Sequence, residues 1–162
     1  MVKVGTLRDR ALAVLETITD PEIPVLTIAD LGILRDVSVN GETVEVTITP
    51  TYSGCPAMNM ITLDIETALA RAGITAKIHT VLSPAWTTDW LTDAGRRKLS
   101  DFGIAPPVHT ASRRALFGEA QPACPLCGSK DTELISEFGS TACKSLHRCR
   151  SCREPFDAFK CH

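Results

Sequence analysis

Apolar residues at Leu7, Ala11, Val14, Leu15 and Ile18 keep the i, i+4, i+7, i+8, i+11 spacing of an amphipathic helix, and Thr6 ahead of them is a natural N-cap. Asp20-Pro21 should end that helix, because the residue before a proline is pushed out of the α region. "PEIPVLTIADLG" carries two prolines and reads as an irregular, extended segment. Alternation then sets in: Ile33, Val37 and Val39 precede Asn40-Gly41, and Val44, Val46 and Ile48 follow it. Asn-Gly takes the positive φ angles of a type I′ turn, so the stretch predicts a β-hairpin. Helical spacing returns at Ile61, Ile65, Ala68, Leu69 and Ala72, with Gly73 as C′ residue. "ITAKIHTVL" reads as a third strand with Ile74, Ala76, Ile78, Thr80 and Leu82 on one face, "SPAW" breaks it, and Thr92 caps a short helix over "TDAGRRKLSDFG".

The predicted architecture is α+β. Residues 1–103 run α-β-β-α-β-α, with helices packed on one face of a small three-stranded sheet. The Pro-Pro pair in "IAPPVHTASRRALFGEAQPA" and its lack of a sustained period mark 104–123 as a linker. Residues 124–162 form a second, cysteine-rich unit. Trp86 and Trp90 stand four apart, either covering the core or anchoring a partner.

Composition narrows the function classes. Of 162 residues, 44% are hydrophobic and 22% charged, and the net charge of −2 argues against non-specific nucleic-acid binding. From Cys124 onward six Lys/Arg face five Asp/Glu, too even a balance for a nucleic-acid-binding ribbon. No apolar run reaches the roughly eighteen residues of a membrane span, and the first residues lack a signal-peptide pattern. The expectation is a cytoplasmic protein with reduced thiols and no membrane or nucleic-acid partner.

The seven cysteines carry the chemistry. "CPLC" and "CRSC" place Cys124 with Cys127 and Cys149 with Cys152, two Cys-x-x-Cys knuckles separated by 21 residues. Such knuckles let four thiolates converge on one tetrahedral ion, and a closed four-cysteine set suits structural zinc, with rubredoxin-like iron or an iron–sulfur cluster as the other readings. A unit of this size has too little core to fold unaided, so the metal would supply the missing stability. Cys143 and Cys161, with His147 and His162 nearby, are left over: two buried small residues, a redox pair or a second metal site. Cys55 stands apart in "TYSGCPAMN", between a strand and a helix. The helix N-terminus favours a thiolate, Gly54 would permit a tight bend, and no histidine or lysine nearby in sequence offers a base. A reactive thiol and a buried small hydrophobe both fit Cys55.

"DPEIPVLTIADLG", the hairpin and "TYSGCP" resemble the iron–sulfur assembly family that includes the SufT proteins and the eukaryotic cytosolic iron–sulfur targeting (MIP18-type) factors. Asp20, Pro21, Glu22, Pro24, Asp30, Leu31, Gly32, Thr51, Gly54, Cys55 and Pro56 carry the match over roughly the first hundred residues. Within it, "LSPAWTTDWLTDAGRRKL", "GIAPP", "CPLCGS" and "FGSTACKSLHRCRSCREPFDAFKC" resemble the PaaD group of accessory subunits of phenylacetyl-CoA epoxidase systems in phenylacetate catabolism, over nearly the whole chain. The resemblance implies an accessory or maturation role toward an oxygenase and its reductase, or toward other iron–sulfur assembly proteins, with Cys55 as a transient ligand for iron or an iron–sulfur cluster. It makes Thr51 and Gly54 companions of that thiol, and Asp20, Glu22 and Asp30 either hard ligands and interaction residues or turn-capping acids. One thiolate cannot hold a cluster, so a homodimer or the client would supply further ligands. Three other classes stay open: a catalytic thiol protein, a thiol-redox protein and a purely structural partner of the oxygenase.

Overall fold

A computed structural model describes residues 5–108 and 121–160, and the chain divides into two compact units, 1–86 and 87–162. Among the described residues no helix is long and apolar enough to cross a membrane.

The first unit opens with α1 (Leu7–Leu15), held by a capping box: Asp9 N–H donates to Thr6 Oγ1 at 3.2 Å, and Thr6 N–H donates to Asp9 Oδ2 at 2.9 Å. Its buried face is Ala11 and Leu15, with Ile18 just beyond. The helix stops before Asp20-Pro21 is reached, with Glu16 as C-cap. The proline-rich segment that follows is not extended. It is a chain of turns, closed by a Thr19–Thr27 bridge, that drives Ile23, Leu26, Ile28, Leu31 and Ile33 into the core at 2% exposure or less. Five large aliphatics in so short a stretch overrode the local signal of the prolines.

Strands β1 (Leu34–Asn40) and β2 (Thr43–Ile48) form the predicted hairpin. Its two-residue loop is Gly41-Glu42, since Asn40 pairs with Thr43, and of the two only Gly41 has positive φ, at 64°. That is the type II′ requirement rather than type I′. After α2 (Ala57–Arg71), strand β3 (Thr75–Thr80) runs parallel to β2, giving the sheet order β1-β2-β3 with β2 central. Val44, Val46 and Ile48 from β2 and Ile61, Ile65 and Leu69 from α2 are all at 0% exposure. Gly73 takes the left-handed C′ position, φ 70°, that turns the chain into β3. Trp86 closes the unit: it is buried, and its indole Nε1–H donates to the Leu31 carbonyl at 2.8 Å. Trp86 lies in irregular chain, and Trp90 belongs to the 3₁₀ turn Thr88–Trp90.

In the second unit, α3 (Asp93–Asp101) starts at the Thr92 cap, and Arg96 donates to the carbonyls of Thr88 and Pro107. Ile104 and Ala105, within the span read as linker, form strand β4, which pairs in parallel with β7 (Pro155–Phe159). Strands β5 (Thr132–Ser136) and β6 (Lys144–Cys149) complete an otherwise antiparallel sheet of order β4-β7-β6-β5. Around the knuckles the buried cluster is small, Ala105, Cys124, Cys149, Phe156 and Ala158 with Cys152 packed against them, and Ile104, Cys143 and Phe159 are buried as well.

Candidate functional site

The four knuckle cysteines converge. Their sulfurs all lie within 4.8 Å of one another, with Cys124 to Cys152 at 3.8 Å and Cys127 to Cys149 at 3.5 Å. The edge of a tetrahedron with metal–sulfur bonds of about 2.3 Å is about 3.8 Å, so the set fits a four-thiolate zinc ion with no position left open. The two knuckles repeat one backbone pattern. Cys124 N–H bonds to the Ser129 carbonyl at 2.9 Å and Cys149 N–H to the Glu154 carbonyl at 3.0 Å. The residue after the second cysteine is left-handed in both, Gly128 at φ 76° and Arg153 at φ 67°. Cys152 N–H points at the Cys149 sulfur, 3.4 Å away, and such bonds pull the Cys149 pKa down to about 6. Cys152 responds the other way. Although the Glu154 backbone bond lowers it, burial and the neighbouring thiols of Cys149, Cys127 and Cys124 push it up to about 12. Four sulfurs this close cannot all ionise without a cation among them.

Cys55 sits just before α2, whose N-cap is Pro56, and remains half-buried. Burial dominates its titration and raises the thiol pKa above the ordinary value. The Ala57 N–H and the Thr51 side chain bond to the sulfur and lower it in part, while the charges of Glu22 and Asp20 raise it further. The helix-terminal N–H groups act as the sequence predicts but lose to desolvation and to the acids, so Cys55 is a protonated thiol at neutral pH. Gly54 is exposed and has no positive φ; a Cβ there would meet, among the described residues, the Tyr52 ring at 3.9 Å. The bend therefore does not demand glycine.

Two of the three acids, Asp20 and Asp30, have structural occupations. Buried Asp20 accepts from the N–H groups of Glu22 and Ile23, both at 2.8 Å, and Asp30 exchanges bonds with Thr27 at 3.0 and 3.1 Å. These are turn-capping roles. Among the described residues, Cys55, Asp20, Glu22 and Asp30 do not bring three ligand atoms together as the ribbon cysteines do. Cys143 is buried, with Thr141 Oγ1 at 3.0 Å from its sulfur. Cys161 and His162 lie outside the described residues, so a Cys143–Cys161 pair does too. His147 is buried in β6 and stacks on Phe156, ring centres 5.6 Å apart, and burial lowers its pKa. Its bond to Ser145 has no sequence signal, because a Ser-x-His pair on one strand is no recognisable motif.

Residues 108–160 match the family model described as "PaaD zinc beta ribbon domain", and residues 8–80 match "Iron-sulfur cluster assembly protein". Over 92% of its length, and 90% of the relative's, the chain is 52% identical to an Escherichia coli (strain K12) protein named as a component of 1,2-phenylacetyl-CoA epoxidase. It is 33% identical, over 51% of the chain and 83% of the relative, to "Fe-S protein maturation auxiliary factor YitW" of Bacillus subtilis (strain 168). A crystal structure of a "Domain of Unknown Function DUF59" from Bacillus anthracis matches at a TM-score of 0.54 with 25% identity, covering 57% of this chain and 91% of that one.

Proposed function

Because the chain belongs to the PaaD family of 1,2-phenylacetyl-CoA epoxidase components, we propose that it is an accessory factor of such an epoxidase that helps assemble its iron or iron–sulfur centres through Cys55. The observation that carries this reading is a half-buried cysteine in a domain of the iron–sulfur assembly family. Cys124, Cys127, Cys149 and Cys152 hold a structural zinc ion that folds the ribbon and takes no part in transfer. Iron or a cluster is cargo. Cys55 gives it one ligand by releasing its proton, and the oxygenase, its reductase, another assembly protein or a second copy of the chain supplies the others. The acids beside Cys55 disfavour a free thiolate but favour a bound cation, which suits a ligand for metal better than a nucleophile. With reduced thiols in both roles, the protein works in the cytoplasm.

Co-expression of the epoxidase components with wild type or Cys55→Ala tests the reading. Iron and sulfide in the purified oxygenase and reductase should fall with Cys55→Ala, at one zinc per chain in both. Unchanged occupancy and activity would instead favour a structural partner, and loss of zinc in the Cys55 variant would overturn the division between the two thiol sites.

A further inference from the structure

A cleft of about 480 Å³ opens in the ribbon unit. Its walls are largely apolar, from Pro106, Pro107, Pro122, Leu134 and Phe159, and its size suits a small organic ligand. Five polar side chains also line it: Gln121, Lys160 and Glu137, the last two of opposite charge, and the neighbours Ser145 and His147. Ser145 and His147 are 8% and 6% exposed, and Ser145 Oγ lies 2.9 Å from His147 Nε2. The second ring nitrogen, Nδ1, is buried without a hydrogen-bond partner among the described residues. A buried N–H without an acceptor is far rarer than a bare acceptor, so the proton belongs on Nε2, which then donates to Ser145 Oγ. Ser145 must direct its own proton elsewhere. The available acceptor is the Ala158 carbonyl at 3.4 Å, well beyond the 2.5–3.0 Å of a good O–H···O bond. The hydroxyl is thus polarised by the imidazole and poorly satisfied by the described residues, beside the apolar walls of the cleft.

We infer that this cleft binds a small molecule with an aryl or alkyl body and one carboxyl-type oxygen, a free carboxylate or the carbonyl of a thioester, which accepts from Ser145. The apolar walls take the body, while Lys160, whose Nζ lies 4.0 Å from the Phe138 ring centre, and Glu137 set opposite charges on the lining. The choice of probe rests on the proposed function, but the binding readout involves neither iron nor the epoxidase.

The test is a titration of full-length, zinc-loaded protein, labelled with ¹⁵N in its histidines, with phenylacetate and with the N-acetylcysteamine thioester of phenylacetic acid. The free protein should carry its ring proton on Nε2, and at least one probe should shift the His147 ring signals saturably, with a dissociation constant of about 1 mM or tighter. Phenylacetate alone would mark a free-acid site, the thioester alone a thioester site. Ser145→Ala should weaken binding about tenfold, and Leu134→Trp, which fills the cleft from its rim, should abolish it, both with zinc content unchanged. Cys55→Ala should bind as wild type, so failure of the maturation role would not mask this site. A proton on Nδ1, no saturable shift with either probe, or full-strength binding by Ser145→Ala would overturn the inference.

Discussion

The two units of this chain are held together by different physics. The first has a true hydrocarbon interior: Leu15, Ile23, Leu26, Ile28, Leu31, Ile33, Val44, Ile48, Ile61, Ile65 and Leu69 are all at or below 2% exposure. The second unit buries fewer large aliphatics, Leu91, Leu99 and Ile104, and around the knuckles its interior is alanine, phenylalanine and cysteine sulfur. Where apolar area is ample, a cysteine need not join the core, and Cys55 stays half-buried. Where it is scarce, cysteines become the framework.

Removing the ribbon's metal should therefore have the largest effect. Chelation, or Cys149→Ala, is expected to unfold residues 121–160 at a cost on the order of 10 kcal/mol, while the first unit keeps its dispersed amide spectrum. Cooperative collapse of both units would sink the comparison. Next comes Leu69→Ala, at 0% exposure in α2: a loss of about 2–5 kcal/mol in denaturant melts, with zinc stoichiometry untouched. Trp86→Phe deletes the 2.8 Å bond to the Leu31 carbonyl and should cost about 1–3 kcal/mol in the same assay.

Arg153 sharpens the comparison from the other side. It holds φ 67° where the matching knuckle has glycine, so Arg153→Gly should stabilise the ribbon by about 1 kcal/mol, read as slower zinc loss to a competing chelator. The smallest effect concerns the free thiol. With its pKa raised chiefly by burial, Cys55 should alkylate slowly at neutral pH and faster as pH rises past the ordinary thiol range. Glu22→Gln removes a charge that holds the proton on, so the rate profile should move to lower pH; a shift to higher pH would contradict the assignment.

What could be read from the chain was whatever depends on neighbours in sequence. The α1 cap, the hairpin, the α2 stripe ending at Gly73 and the paired knuckles are each set within a few residues, by hydrogen bonds and periodicity that local chemistry fixes. The misreadings were also local in origin. Asn40-Gly41 suggested one turn type and the pairing register chose the other, and prolines suggested an extended segment that five aliphatics folded inward.

Tertiary structure decided the rest. The parallel alignment of β3, the strand at Ile104–Ala105 and the bond from Trp86 to Leu31 join residues far apart in sequence. The state of Cys55 belongs with them. A helix terminus favours its thiolate, but burial first, and then the acids at 22 and 20, known only once the chain has folded, raise its pKa instead. Short-range bonding is written in the residue order, whereas desolvation and through-space charge exist only after distant segments meet.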